Sequence, residues 1–185
     1  PVLPRPCMKG NSTFERLLER DAELTSRLTL KEQPALLRFL AILVARSGDS
    51  WFWLLALGLM WYFGSDYWRQ RAAIMLVAVF ITAILVLTIK FSIRRQRPAG
   101  RWGSDYRRTD PHSFPSGHAT RAFLLAVLAL GLGPAWFGLL LLAWAPLVPL
   151  ARVAMGVHYL SDVVAGAVLG IFIGLLVLAF APPPI

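Results

Sequence analysis

Charged residues are scarce in this chain, and cysteine is nearly absent. Only 16% of the 185 residues are charged, whereas 57% are hydrophobic, so the chain is poorer in charge and richer in apolar side chains than a typical soluble domain. The single cysteine, Cys7, excludes an internal disulfide and a metal site made of thiolates. Acidic residues number 10 against 19 basic ones, which leaves no spare carboxylates for a metal site of oxygen ligands. We therefore expect no metal and no cofactor.

The scarcity of charge is most pronounced after Arg121, where only Arg152 and Asp162 carry formal charges. Both lie within ten residues of His158, and the residues around them are apolar enough to lie in a bilayer. An ionisable group is costly there and indicates a functional site. A cation, an imidazole and a carboxylate in one short segment suggest chemistry on an anion at a membrane surface.

Long apolar runs are what the chain has instead of charge. They predict an all-α integral membrane protein, a helical bundle of about five transmembrane helices preceded by an amphipathic N-terminal helix. The expected crossings are residues 51–63, 72–90, 118–132, 135–154 and 159–180. Further helices are expected at 14–30 and 34–46, and polar breaks at 47–50 and 64–71. Residues 1–8 are interpreted as a vector-derived or disordered leader, and no secretory signal is visible.

Three polar clusters are expected at one face of the membrane. In an antiparallel bundle of five crossings, the end of the second, the start of the third and the turn between the fourth and fifth lie on the same side. The unusual polar residues occur at these three places. The sequence therefore predicts one site built from three segments.

The first cluster contains Lys90 and Arg97, which is followed by Pro98. Being seven residues apart, the two cations share a face of a continuing helix, and Pro98 helps to end that helix. Two cations at a helix end can clamp a phosphate, and Arg97 can bind it with two hydrogen bonds. The alternative is a set of anchors that reach lipid headgroups. Nucleic acid is not an expected partner, because this loop joins two membrane segments.

The second cluster is Ser116, Gly117 and His118, at the start of the third crossing. Ser116 can cap the helix, and Gly117 allows a ligand to approach the backbone closely. The free N–H groups of the helix start favour an anion, and His118 can donate a proton to a leaving oxygen. The alternative is an ordinary helix start with a solvated histidine. Arg121, one turn later, is either a further contact or a lipid anchor.

The third cluster is the pair His158 and Asp162, spaced four residues apart. On a helix that includes both, their side chains can touch. A carboxylate on one ring nitrogen fixes the tautomer and leaves the other nitrogen free as a nucleophile or base. The alternative is a histidine that stabilises a turn.

A row of small residues, Gly166, Gly170 and Gly174, follows Asp162. Such a row lets another helix approach closely and turns the Asp162 side of the helix toward protein. It predicts either a contact within the chain or a homo-oligomer interface, and the spacing alone does not separate the two.

Together the three clusters resemble a known signature. The residues Lys90 to Arg97-Pro98, Pro115-Ser-Gly-His118 and Arg152 to Asp162 look like the three-part motif of the type 2 phosphatidic acid phosphatase superfamily, which also includes vanadium haloperoxidases. The resemblance covers roughly residues 47–180. It implies a single membrane phosphatase domain over residues 9–185, with an amphipathic region at 9–46 and a transmembrane core at 47–181.

The resemblance also implies roles for the clustered residues. His158 would attack phosphorus and form a phosphohistidine, Asp162 would orient it, and His118 would protonate the leaving group. The phosphoryl oxygens would be held by Lys90, Arg97, Ser116, Gly117 and Arg152. No metal is implied, because the cations take its place. One departure is Ala151, where the family usually has a serine, so that a phosphate-binding hydroxyl is lost.

The implied substrate is a lipid phosphate at the bilayer interface, with undecaprenyl diphosphate first and phosphatidylglycerophosphate or phosphatidate close behind. The implied location is a bacterial inner membrane with an extracytoplasmic active site, although a plain count of Lys and Arg would place the site inside. A lipid phosphotransferase is a further alternative and would need an acceptor lipid. Haloperoxidase relatives are soluble, unlike this chain. An anion channel or transporter is the alternative that is not an enzyme, and it would need a polar path that the second to fifth crossings lack.

Overall fold

The fold is built from helices. The computed structural model describes residues 13–30, 35–99 and 110–181, and the expected leader at 1–8 lies outside them. The helices of these ranges, in chain order, are α1 Thr13–Leu28, α2 Ala35–Ser47, α3 Ser50–Phe63, α4 Asp66–Ile93, α5 Gly117–Leu132, α6 Ala135–Trp144, α7 Leu147–Ala154 and α8 Leu160–Phe180. The only β-type pairing among the described residues is an isolated bridge between Gln96 and His112. The prediction of an all-α membrane protein is confirmed.

Among the described residues, three segments are long and apolar enough to cross a membrane: α4, the combined α6–α7 segment Ala135–Ala154, and α8. The pair α2 and α3 qualifies as one further span, but it bends by 52° at its break. Helix α5 is apolar but has only 16 residues, which is about 24 Å and shorter than the ~30 Å hydrocarbon core of a bilayer. The expected five crossings are reached when the bent pair and α5 are both counted.

Helix α4 begins earlier than predicted. Residues 64–71, expected as a polar turn, already contribute to the helix from Asp66 onward. The charge of Arg71 is satisfied within the bundle: its Nη1 donates to Tyr67 O at 2.7 Å, its Nε donates to Leu132 O, and its guanidinium stacks 3.3 Å from the centre of the Tyr67 ring. Because this charge has partners, the helix continues for 28 residues, about 42 Å, and ends at the predicted face.

The fourth crossing is interrupted at Pro146. Helix α6 ends at Trp144 and α7 begins at Leu147, where the sequence predicts one helix over 135–154. Proline has no N–H to donate, and its ring crowds the carbonyl four residues earlier, so the helix restarts after it. The restart produces the short helix α7, whose last turn carries Arg152.

Helix α5 packs most extensively against α8. The glycine row of α8 permits this contact: a Cβ on Gly166 would lie 2.6 Å from Ser116 O, and a Cβ on Gly170 would overlap Thr120 O. Gly174 is likewise buried against α5. The predicted contact within the chain is therefore observed, because α5 covers all three glycines.

Helix α1 packs on the turn between α7 and α8 rather than standing apart from the bundle. The Leu30 N–H donates to Ala154 O at 2.8 Å, and the Leu160 N–H donates to Thr25 Oγ1 at 3.0 Å. The leucines of the helix stay exposed, namely Leu17, Leu18, Leu24 and Leu28. The amphipathic helix thus contacts the bundle through polar groups and presents apolar side chains outward, as a helix at a membrane surface does.

Candidate active site

The three predicted clusters meet at one end of the bundle. The Ser116 N–H donates to Asp162 O at 3.0 Å, which joins the start of α5 to the start of α8. Arg97 reaches across from the loop after α4, with its Nη1 2.8 Å from Val157 O. The end of α4, the start of α5 and the turn between α7 and α8 therefore form one continuous site.

His158 and Asp162 face each other at the start of α8. His158 lies in the turn before the helix and is 1% exposed, and its Nδ1 is 3.5 Å from Asp162 Oδ2. The same oxygen accepts the Tyr159 N–H at 2.8 Å, which closes the first helical turn. The contact is made across a helix start, and not along a helix that contains both residues.

The second ring nitrogen of His158, Nε2, lies 3.2 Å from Arg97 Nη1. A guanidinium group only donates hydrogen bonds, so we assign the lone pair to Nε2 and the proton to Nδ1, on the side of Asp162. Burial and the charges of Arg152, Arg97 and Lys90 hold the pKa of His158 well below its ordinary value of 6.5. The ring is thus neutral at neutral pH with its lone pair directed at the cations, which is the state a nucleophile requires.

Lys90 and Arg97 converge on a carboxylate that the sequence interpretation does not single out, Asp110. Lys90 Nζ donates to Asp110 Oδ2 and, at 3.2 Å, to His112 O, while Arg97 Nη2 donates to the same Oδ2 at 2.8 Å. Both cations are only 4% exposed, and Arg152 on α7 is also buried. With three cations and one carboxylate, the cluster suits a phosphate. Within the described residues, no three His, Cys, Asp or Glu side chains group so as to hold a metal ion.

Arg97 reaches this cluster from a loop, which corrects the predicted continuation of the helix. Helix α4 ends at Ile93, and Arg94 is left-handed, with φ 54° and ψ 34°, while its N–H donates to Lys90 O at 2.9 Å. A left-handed residue other than glycine costs roughly 1–2 kcal/mol, and here it turns the chain back toward the site. Lys90 and Arg97 do meet, but not as neighbours on one helical face.

Ser116, Gly117 and His118 form the N-terminal end of α5. Ser116 is buried, and its Oγ accepts the Ala119 N–H at 3.5 Å, so the predicted cap is present but long. His118 Nε2 lies 2.8 Å from Asp49 Oδ1. A carboxylate only accepts, so this nitrogen carries a proton. Nδ1 is then the nitrogen of His118 that can exchange a proton with a bound group.

Asp49 is a further residue that the sequence interpretation misses, because the break between α2 and α3 is read there only as a turn. Arg121 fastens this break to α5: its Nε donates to Gly48 O at 3.0 Å, and its Nη1 donates to Ser50 Oγ at 2.7 Å. A Cβ on Gly48 would lie 3.3 Å from the ring of His118, so the break fits closely. An acidic residue between two apolar helices is the signal that could have identified Asp49. In the structure Arg121 holds this corner, and its expected contact with a ligand stays a prediction.

A cavity of about 180 Å³ opens beside the site. Its polar lining includes Lys90, Asp110, Gly117 and His118. Its apolar lining comes from α4 and α5, namely Val79, Ala83, Val86, Leu87 and Leu124. The cavity therefore joins the cations to an apolar wall between these two helices.

A family model described as the PAP2 superfamily matches residues 71–183, which is more than half of the chain. The chain belongs to the PAP2 superfamily. All three motif clusters lie inside the match. Helices α1 to α3 lie outside it, and so do Asp21 of α1 and Asp49.

Named relatives of this PAP2 chain are lipid phosphatases. The undecaprenyl-diphosphatase of Sulfolobus acidocaldarius is 32% identical over 149 residues, which cover 78% of this chain and 70% of that protein. The decaprenylphosphoryl-5-phosphoribose phosphatase of Mycobacterium tuberculosis is 35% identical over 99 residues, 53% of this chain and 54% of that protein. This PAP2 protein is an integral membrane enzyme that hydrolyses a lipid phosphate.

The fold of this PAP2 protein is also found in a solved structure. The crystal structure of the transmembrane PAP2 type phosphatidylglycerolphosphate phosphatase from Bacillus subtilis matches with a TM-score of 0.71. The match covers 89% of this chain and 86% of that one, at 24% sequence identity. At this identity the comparison establishes a shared fold.

Ala151 is the position at which this PAP2 chain departs from the usual motif. It lies buried in α7, directly before Arg152. An alanine there leaves the charge of the cluster unchanged but removes one hydroxyl that could donate to a phosphate oxygen.

Proposed function

We propose that this protein hydrolyses a lipid phosphate or diphosphate at the membrane interface, without a metal, through a phosphohistidine formed on His158. The observation that carries the proposal is the orientation of the His158 ring. Its Nε2 lies 3.2 Å from Arg97 Nη1, while its Nδ1 faces Asp162. A phosphoryl group held by the cations would lie beside the lone pair of Nε2, and positioning of this kind supplies much of the catalysis in phosphoryl transfer.

In the proposed reaction, His158 Nε2 attacks phosphorus and forms an N–P bond as the P–O bond to the lipid breaks. His118 gives the proton of Nδ1 to the leaving oxygen, and Asp49 supports the charge that the ring carries before this transfer. His118 then takes a proton from water as the water oxygen attacks the phosphohistidine. Inorganic phosphate leaves, and both histidines return to their starting protonation.

The charge of the phosphoryl group would be held by Lys90, Arg97 and Arg152 together with the N–H groups at the start of α5. These donors are fixed by the fold before the substrate arrives, so they stabilise the developing charge without rearrangement. The phosphate would replace the carboxylate of Asp110 as the partner of Lys90 and Arg97. The cations thereby supply the charge that a metal ion supplies in other phosphoryl-transfer enzymes.

The cavity supports a lipid as the substrate. It extends from Lys90 and His118 to apolar side chains of α4 and α5, so a phosphate can reach the cations while its chain lies along the apolar wall. The two sequence relatives described above are both named for substrates that carry a polyprenyl chain. Undecaprenyl diphosphate is therefore the first candidate, ahead of phosphatidylglycerophosphate and phosphatidate. We place the protein in a bacterial inner membrane with its site on the extracytoplasmic face.

Phosphate release from a panel of these purified lipids, with a chelator present, tests the proposal. We expect turnover by the wild type, with undecaprenyl diphosphate fastest, and none by His158→Ala, whose fold is checked by thermal unfolding in the same detergent. With radiolabelled substrate, a quenched reaction should yield a labelled protein that is stable in alkali and labile in acid, as a phosphohistidine is. The label should be missing from His158→Ala.

Four outcomes would contradict parts of the proposal. Robust turnover by His158→Ala would remove the mechanism, and strict loss of activity in the chelator would remove the metal-free step. Dephosphorylation of the lipid that depends on an added acceptor lipid, with the phosphoryl group recovered on that acceptor and not as inorganic phosphate, would identify a phosphotransferase instead. A different ranking of the panel would replace the first candidate substrate.

A further inference from the structure

A chain of charge pairs joins the N-terminal helix α1 to the carboxylate of Asp162. Asp162 Oδ1 accepts from Arg95 Nη1 at 2.6 Å, and Arg95 Nη2 donates to Asp21 Oδ2 at 2.7 Å. The Asp162 side chain is fully buried, and those of Arg95 and Asp21 are only 17% and 12% exposed. Salt screens buried pairs much less than exposed ones, so the three groups are strongly coupled.

The two oxygens of Asp162 have separate partners. Oδ1 faces Arg95, whereas Oδ2 accepts the Tyr159 N–H and faces His158. The guanidinium of Arg95 also lies 4.1 Å from the centre of the Tyr159 ring. Because Asp21 takes Nη2, only Nη1 of Arg95 reaches Asp162, and Oδ2 stays directed at the imidazole. Without Asp21, both donors of Arg95 could turn to Asp162 and draw Oδ2 away from the ring.

Helix α1 is fitted to the start of α8. Asp21 accepts the Ser161 N–H at 3.0 Å, and Thr25, one turn later on α1, accepts the Leu160 N–H at 3.0 Å. The first N–H groups of a helix have no partner inside the helix, so α1 satisfies donors that α8 itself leaves open. This fit sets the position of Asp21 relative to Arg95.

We propose that Asp21 is a positioning residue that acts through Arg95 to fix Asp162, and through it the orientation of His158. Helix α1, which lies outside the PAP2 match at residues 71–183, is then a working part of the site. The inference rests on the proposed function of His158 as the nucleophile. If α1 only stabilised the fold, loss of Asp21 would lower the melting temperature and leave the His158 ring unchanged.

The kinetic test compares Asp21→Asn, Arg95→Gln and the double variant. By analogy with partners that lie behind metal-bound histidines, we expect Asp21→Asn to lower kcat by about tenfold with KM changed less than about twofold. The double variant should be no slower than Arg95→Gln alone, because Asp21 acts through Arg95. Asp21→Glu should regain most of the rate. Glu19→Gln, an equal change of charge at an exposed position of α1, should match the wild type.

A second test does not require turnover. The protein has three histidines, so ¹⁵N-histidine spectra in detergent are simple, and His158→Ala assigns the His158 nitrogens. We expect Asp21→Asn to shift the Nδ1 and Nε2 resonances of His158, and Glu19→Gln to leave them in place.

The two tests separate this inference from the proposed function. If the wild type releases no phosphate from any lipid but the His158 resonances shift in Asp21→Asn, the link stands and the proposed function fails. If the wild type turns over while Asp21→Asn keeps both its kcat and its His158 resonances, the inference is overturned. Additive losses in the double variant would overturn it as well.

Discussion

Asp49 Oδ1 lies 2.8 Å from Nε2 of His118 and keeps a proton on that nitrogen by accepting its hydrogen bond. We expect Asp49→Asn to lower kcat by roughly 10- to 100-fold, at or below the lower end of the ~10²–10⁴-fold that general acid–base catalysis contributes, because the acid His118 itself remains. The amide can neither balance the charge of the ring nor hold one tautomer as a carboxylate does. Initial rates of phosphate release at saturating lipid measure the effect.

The control is Asp66→Asn, at the far end of α4. The Asp66 side chain is 99% exposed, so this variant loses the same charge and should keep the wild-type rate. A wild-type kcat for Asp49→Asn, beside an inactive His118→Asn, would show that Asp49 has no part in proton transfer.

Under the proposed mechanism, the buried imidazole of His158 sets the acid side of the response to pH. Burial and the charges of Arg152, Arg97 and Lys90 hold its pKa well below 6.5, and a protonated ring has no lone pair for attack. On the acid side of the profile, kcat/KM should therefore fall only as the pH drops below the usual histidine range. Among the three cations, Arg152 lowers the pKa of His158 most. Arg152→Gln should therefore raise this pKa, so that the fall in kcat/KM begins at a higher pH, whatever the absolute rate. A profile of kcat/KM against pH that does not move would contradict this account.

At the scale of residues, the sequence reveals groups whose type and spacing carry meaning within one segment. His158 and Asp162 stand out because little else in the last third of the chain is polar. Asp49, Asp110 and Arg95 do not stand out, because each acts on a partner that lies distant in the sequence. Their roles follow from how breaks and loops bring segments together, which no local pattern encodes.

At the scale of elements, the contact between α5 and α8 depends on the absence of side chains in the glycine row. A Cβ on Gly170 would overlap the Thr120 carbonyl oxygen, and forcing extra volume into a packed contact costs roughly 1–3 kcal/mol. We expect Gly170→Ala to lower the melting temperature in detergent and to lower kcat, since α5 carries His118 and α8 carries Asp162.

Gly58→Ala is the matched control for this change. A Cβ there would meet nothing within 4 Å, and alanine stabilises a helix interior by roughly 0.5–1 kcal/mol relative to glycine. Its melting temperature should equal or exceed that of the wild type. Equal melting temperatures for the two variants would mean that the row is not needed for packing.

Element boundaries were predictable where local chemistry decides them. The starts of α5 and α8 lie within one residue of the sequence expectation, because a serine–glycine cap and an isolated polar segment mark them. Both ends of α4 were wrong. Hydrogen bonds within the bundle satisfy Arg71, so the helix begins before it, and the left-handed conformation of Arg94 ends the helix. Neither feature is visible in the local sequence.

At the scale of the whole molecule, the side of the membrane that the site faces can be measured directly. Ser26 on α1 lies at the end with the site, and Ser65 precedes α4 at the opposite end; both are exposed. In a Cys7→Ser background, we expect Ser26→Cys to react with an impermeant maleimide on intact cells. Ser65→Cys should react only after permeabilisation. The reverse pattern would place the site in the cytoplasm, as the count of basic residues suggests.

The arrangement of the bundle was largely predictable, since apolar runs and an alternating path place three polar clusters on one side. The docking of α1 was not, because an amphipathic helix can lie on a membrane or on protein. Here polar contacts through Asp21 and Thr25 determine the choice. Hydrogen bonds between distant segments decide such a placement, and hydrophobic periodicity does not report them.

Under the proposed mechanism, Asp110 gives substrate binding the character of an ion exchange. Its carboxylate bonds both Lys90 and Arg97, so a phosphate that takes these cations replaces one anion with another. The affinity for phosphate then measures the difference between two sets of ion pairs, and not the full strength of either. Once inorganic phosphate has formed, the carboxylate of Asp110 can pair with Lys90 and Arg97 again. A site of this kind favours rapid release of product over tight retention.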